Sequence, residues 1–123
     1  MNDFDTLDRI VRHAKAWGLD DRVESMRFTP VPVVRMRDDD VAMFGSWAKH
    51  LSQPRLRIEA GSNRAVLTVT GLIMCGKPVA IAVDVQERFL PDSRHSAFCL
   101  SIEDFVAVVA TRQRVLAPAK AGA

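Results

Sequence analysis

Tyrosine is absent from the chain, which removes one of the side chains on which proteins commonly stack nucleic-acid bases. Cysteine is scarce: Cys75 and Cys99, with His13, His50 and His95, are the only soft metal ligands. No two of them have the spacing of a metal site, and His95 and Cys99 on one strand would stand roughly 13 Å apart. The expectation is therefore a protein without metal or cofactor, its two cysteines free structural thiols. Long apolar runs are missing too. Thr and Gly interrupt the stretch from Ala65 to Cys75, well short of the roughly 20 residues that a bilayer span needs. Because the opening Met1-Asn2-Asp3-Phe4-Asp5 is acidic where a secretory leader is basic and then apolar, a cytoplasmic location is expected, with no membrane partner. Glycine-rich phosphate loops are absent, since Gly61-Ser62-Asn63 joins two strands and leads into no helix.

Lysine is the other shortage, with four against thirteen arginines. Net charge is only +2, and the pI of 8.8 stays below the value of about 9 at which charge alone suggests a nucleic-acid domain. Where the arginines lie matters more than their total.

The stretch from Arg55 to Val85 organises the rest. Three runs rich in β-branched residues are divided by Gly61-Ser62-Asn63 and by Cys75-Gly76-Lys77-Pro78, the pattern of an up-and-down antiparallel meander. Leu56, Ile58, Leu67, Val69, Ile81 and Val83 alternate with Arg55, Arg57, Glu59, Thr68, Thr70, Ala80, Ala82 and Asp84. One sheet face is thus aliphatic and the other polar or small.

Apolar residues at three- and four-residue steps predict amphipathic helices over 4–17, 39–51 and 102–114. Asp38-Asp39-Asp40 suits the cap of the second helix better than a magnesium site. Ser101 caps the third, with Asp104 at the reciprocal position of a capping box. Residues 19–28 read either as a short helix or as a first strand. Val33–Arg37 follows Pro30 and Pro32 as a strand that begins at a sheet edge, and Ala97–Leu100 is a last short strand. The predicted class is α+β: an antiparallel four- to five-stranded meander with about three helices, mainly on one face. A single domain spans 1–115, and 116–123 form a disordered tail. The core is expected to include Leu7, Val11, Phe44, Leu56, Ile58, Leu67, Val69, Ile81, Val83, Phe105 and Val109.

Two constellations carry functional readings. Asp84 and Glu87, with His95 on the loop beyond, are the acid/base candidates for a small enzyme. Arg35 and Arg37 alternate with Val34 and Met36 just as Arg55 and Arg57 alternate with Leu56 and Ile58. If those two strands were neighbours, four guanidinium groups would lie together and disfavour the sheet unless something compensated. Glu59 and Asp84 are internal candidates for that role, and an acidic protein or a phosphate backbone are external ones. Thr68, Thr70, Ala80 and Ala82 offer bases no stacking platform, which favours protein. The sequence therefore predicts a non-enzymatic accessory protein, of a kind common in bacteria and their phages. It would bind an acidic protein through Arg35, Arg37, Arg55 and Arg57. Nucleic-acid binding and the Asp84/Glu87/His95 enzyme are the alternatives, and pairing of a sheet edge with a second copy is open.

Overall fold

A computed structural model describes residues 3–19, 23–27, 31–90 and 101–116. The elements run α1 (Asp3–Trp17), β1 (Val23–Arg27), β2 (Val33–Met36), α2 (Val41–Lys49), β3 (Ser52–Ala60), β4 (Arg64–Leu72), β5 (Pro78–Gln86) and α3 (Ile102–Leu116). A single 3-10 turn, Glu87–Phe89, closes β5. The class is α+β, and residues 23–27, ambiguous in sequence, are a strand.

The sheet has five strands in the order β1-β2-β5-β4-β3. The expected pure meander is corrected here, because β2 runs parallel to β5 while every other neighbouring pair is antiparallel. After β2 the chain crosses by way of α2 to the far edge, and β3, β4 and β5 then step back to the middle. Edge position is corrected with it: β2 is interior, and β1 and β3 are the edges. Proline still obeys its rule, since Pro32 precedes the ladder and supplies only its carbonyl, which accepts the Ala80 N–H at 2.8 Å. The expected strand over 97–100 and the tail beyond Leu116 lie outside the described residues, while α3 itself reaches Leu116.

Two turns set the register. Gly61 N–H donates to the Arg64 carbonyl at 2.7 Å, with Asn63 in the left-handed region at φ 70°, so Ala60 faces Ala65 and every pair back to Arg55 and Thr70 follows. Between β4 and β5, Gly76 takes φ 84°, a conformation that costs glycine nothing. The Ile73 N–H donates there to the Lys77 carbonyl at 3.0 Å.

The three described helices feed one core on one face of the sheet. Ile10 and Ala14 of α1, Val41, Phe44, Trp47 and Ala48 of α2, and Phe105 and Val109 of α3 cluster with Val34, Met36, Leu67, Val69, Ile81 and Val83. Expectation fails for α1, where Leu7 is exposed and Val11 only half-buried. Its buried stripe is Ile10, His13 and Ala14, one step round the helix, because His13 is drawn inward to accept the Met74 N–H on Nδ1 at 3.1 Å. Leu56 and Ile58 of the edge strand are also only half-buried. Capping of α2 falls to Asp40, whose carboxylate accepts the Met43 N–H at 3.2 Å, and Ser101 Oγ accepts the Asp104 N–H at 3.1 Å at the start of α3.

Candidate functional site

Opposite the helices lies a face that none of the described helices covers. Its composition follows from the register. Arg35 aligns with Ala82, Ala82 with Thr68 and Thr68 with Arg57, while Val33, Ala80, Thr70 and Arg55 form the next row. Ser25 and Arg27 of β1 extend these rows beyond Arg35 and Val33. A further row holds Asp84, Val66 and Glu59. The result is a low floor of Thr and Ala down the middle, with arginines on both borders.

The floor is shallow. Ala80 and Ala82 are buried although they stand outside the helix-covered core. Arginines at 35 and 57 are separated by two intervening strands, roughly 14 Å at about 4.8 Å per strand spacing. The sequence-based picture of Arg35, Arg37, Arg55 and Arg57 gathered into one cluster is thereby corrected: Arg35 and Arg37 belong to one border, Arg55 and Arg57 to the other.

Compensation is partial. Arg57 Nε lies 3.2 Å from Glu59 Oε1, and Arg35 lies 3.7 Å from both Glu24 and Asp84. Arg27, Arg37 and Arg55 are exposed, and no carboxylate pairs with them among the described residues. Exposed pairs such as Arg57 with Glu59 are worth roughly 0–1 kcal/mol, so these contacts leave the face basic.

Asp84 turns out to be a structural anchor, and the partner that sequence reading missed is Arg64. Arg64 Nε donates to the Asp84 carboxylate, its Nη2 donates to the Asp84 carbonyl at 3.2 Å, and Asp39 Oδ1 lies 3.6 Å away. The bond to Asp84 raises the pKa of the Arg64 guanidinium, with Asp39 adding to the effect against partial burial. The signal was available: the hairpin register puts Arg64 on the outer face, diagonal to Asp84 across the β4–β5 pair. Asp39 closes the same corner. At φ 64° its N–H donates to the Asp84 carbonyl at 2.7 Å, and its Oδ1 accepts the Gln86 N–H at 3.0 Å. Asp39, three residues past the end of β2, thus continues the ladder along β5 and satisfies groups that would otherwise be orphaned.

Of the proposed acid/base trio, Asp84 is held by arginines, Glu87 is exposed in the 3-10 turn, and His95 lies outside the described residues. Cys75 is exposed and free in the β4–β5 turn, not a packed structural thiol, and Cys99 lies outside the described residues. Among the described residues no three of the His, Cys, Asp and Glu side chains converge on a common point, and no helix is long and apolar enough to cross a membrane.

A second feature sits on the helix side. Between α2, the start of α3 and the edge strand β3 runs an apolar groove of about 960 Å³, floored by Leu51, Leu56, Ile58, Ile102 and Val106 and rimmed by Lys49, Arg57 and Glu103. Comparison of the chain with protein-family models, with curated proteins and with solved structures finds no match, so what the site can do is argued from its own geometry.

Proposed function

We propose that the protein is a non-enzymatic interaction module that takes an acidic protein partner on the open, arginine-bordered face of its sheet. The observation that carries this reading is the asymmetry of the two faces. The three described helices are spent on one side, while the other presents Arg27, Arg37 and Arg55 without a carboxylate among the described residues, beside the partly paired Arg35 and Arg57. Guanidinium groups are weakly hydrated and match carboxylates in a planar fork, so they shed water for such a partner at less cost than lysine ammonium. The Thr and Ala floor between the borders is wide enough, at roughly 14 Å, to seat a helix about 10 Å across. Nucleic acid is less well served: the outward residues of the five strands, from Ser25 to Gln86, include no aromatic ring for a base.

Affinity capture from the source cell, wild type beside Arg37→Ser/Arg55→Ser, tests this. Both arginines are exposed and unpaired among the described residues, so the double variant folds. A protein with an acidic surface that is captured by wild type after nuclease treatment, and depleted severalfold by the variant, is the expected result. Capture that disappears with nuclease, or that the variant leaves unchanged, overturns it.

A further inference from the structure

We propose that the edge of β3, unpaired among the described residues, pairs with the same strand of a second copy, antiparallel, about a twofold axis at Ile58. This joins two five-stranded sheets into one of ten. Three features of β3 point to this pairing, and the first two to its register.

The first is hydrogen-bond parity. Gly61 and Arg64 close the hairpin through the Gly61 N–H, and antiparallel strands alternate the side to which each residue turns its N–H and C=O. Counting back in twos, Glu59, Arg57 and Arg55 bond to Val66, Thr68 and Thr70 of β4. Leu56, Ile58 and Ala60 therefore turn their backbone groups to the free edge. Pro54, which has no N–H to give, lies just outside this stretch and ends it.

Charge is the second. With Ile58 opposite its own copy, Leu56 faces Ala60 and Arg57 faces Glu59, twice by symmetry. The Arg57–Glu59 pairs fall at non-hydrogen-bonded positions, where facing side chains come closest, at about 4.5 Å between Cα atoms. A shift of the axis to Arg57 would set Arg57 against Arg57 in that close position. An axis at Leu56 would set Arg55 against Arg57 and call on Pro54 for a bond it cannot make.

Apolar surface is the third. Leu56 and Ile58 are only half-buried because the groove beside them is open. A partner strand at the edge continues the floor of that groove with its own Ile58 and Leu56, below Ile102 and Val106. An edge strand whose ladder is unpaired among the described residues, with a half-covered apolar side, is otherwise a liability, which proteins usually blunt with charge, proline or cover. Here the charges are arranged to complement a copy and the proline stands outside the paired stretch.

The test uses the full chain and reads mass. Light scattering or sedimentation at micromolar concentration should give twice the chain mass of 13.7 kDa for wild type. Glu59→Arg places arginines opposite each other and should weaken association at least tenfold. Arg57→Glu places glutamates there and should do the same. Combining them, Arg57→Glu/Glu59→Arg, restores opposite charges at the facing positions and should bring the dimer back. Both side chains are exposed, and circular dichroism is to check that each variant is folded. A second probe is Ile58→Pro, which removes an N–H directed to the edge and should give a monomer. Wild type that stays at 13.7 kDa at all concentrations, with its edge covered in some other way, overturns the proposal. A dimer indifferent to both single reversals, or one the charge swap fails to rescue, overturns the register.

Discussion

His13 supplies the sharpest prediction about stability. It is the one buried ionisable side chain among the described residues, 1% exposed. Its Nδ1 accepts the Met74 N–H at 3.1 Å, which requires the neutral ring with its proton on Nε2. That nitrogen has no partner among the described residues, and the ring stacks near Trp47 at a centroid distance of 6.1 Å. Burial, and after it the charge of His50, lowers the His13 pKa from 6.5, against a smaller upward pull from the His50 backbone. The sign then follows from linkage. Below pH 6.5 the unfolded chain takes up a proton that the folded chain refuses, so stability is complete above that value and falls as pH drops toward the folded pKa. If the folded ring stays neutral throughout, the loss between pH 7.5 and 5.5 is at most about 1.4 kcal/mol. That window lies above the usual range of carboxylates.

The assay is urea unfolding of wild type and His13→Leu at the two pH values. Leucine cannot protonate, but it leaves the Met74 N–H without its acceptor, so the variant should be weaker by roughly 1–3 kcal/mol at pH 7.5. The gap should narrow by about 1 kcal/mol at pH 5.5, where wild type has lost its His13 contribution and the variant has not. A gap that is the same at both pH values would refute the buried, neutral His13. A gap that widens toward pH 5.5 would mean that the charged ring is the one the fold prefers.

Other predictions concern the backbone and the exposed thiol. Gly71→Ala should lower stability by roughly 1–3 kcal/mol in the same urea assay, since a Cβ there would lie 2.8 Å from Leu51 Cβ and 3.0 Å from the Ser52 carbonyl. Asp39→Gly should be more stable than Asp39→Ala by about 1 kcal/mol. Both lose the bond to Gln86 N–H, but only alanine must be forced to φ 64°. Arg64→Ala should cost on the order of 1 kcal/mol, modest because its side chain is 37% exposed. Cys75 should react with a thiol reagent in the native protein without changing its circular dichroism, because it is exposed.

Local rules were legible in the sequence wherever one period or one turn decides the outcome. Gly61-Ser62-Asn63 and Cys75-Gly76-Lys77 set two hairpins, and alternation then put Arg55, Arg57, Thr68, Thr70, Ala80 and Ala82 on one face. What alternation does not carry is strand order. Nothing local in Val33–Met36 says whether it lies beside β3 or β5, because that is settled by packing α2 across the sheet. The arginine cluster inferred from sequence fails on that one non-local fact. Arg64 was overlooked for a different reason: at the mouth of a hairpin it resembles a turn residue, and its main partner, Asp84, is a diagonal neighbour across β4 and β5 that lies twenty residues away in sequence. His13 shows the opposite conflict, since a polar residue displaced Leu7 and Val11 from the buried stripe of α1 once a backbone N–H was available to it.

The open face is tested most directly by binding isotherms of the captured partner, at low and at moderate salt, against wild type and Arg37→Ser/Arg55→Ser. A contact through these arginines predicts affinity severalfold lower or more for the variant, together with a shallower dependence on salt. Superimposable isotherms at both salt concentrations, from a variant shown to be folded, would place the interface elsewhere on the molecule.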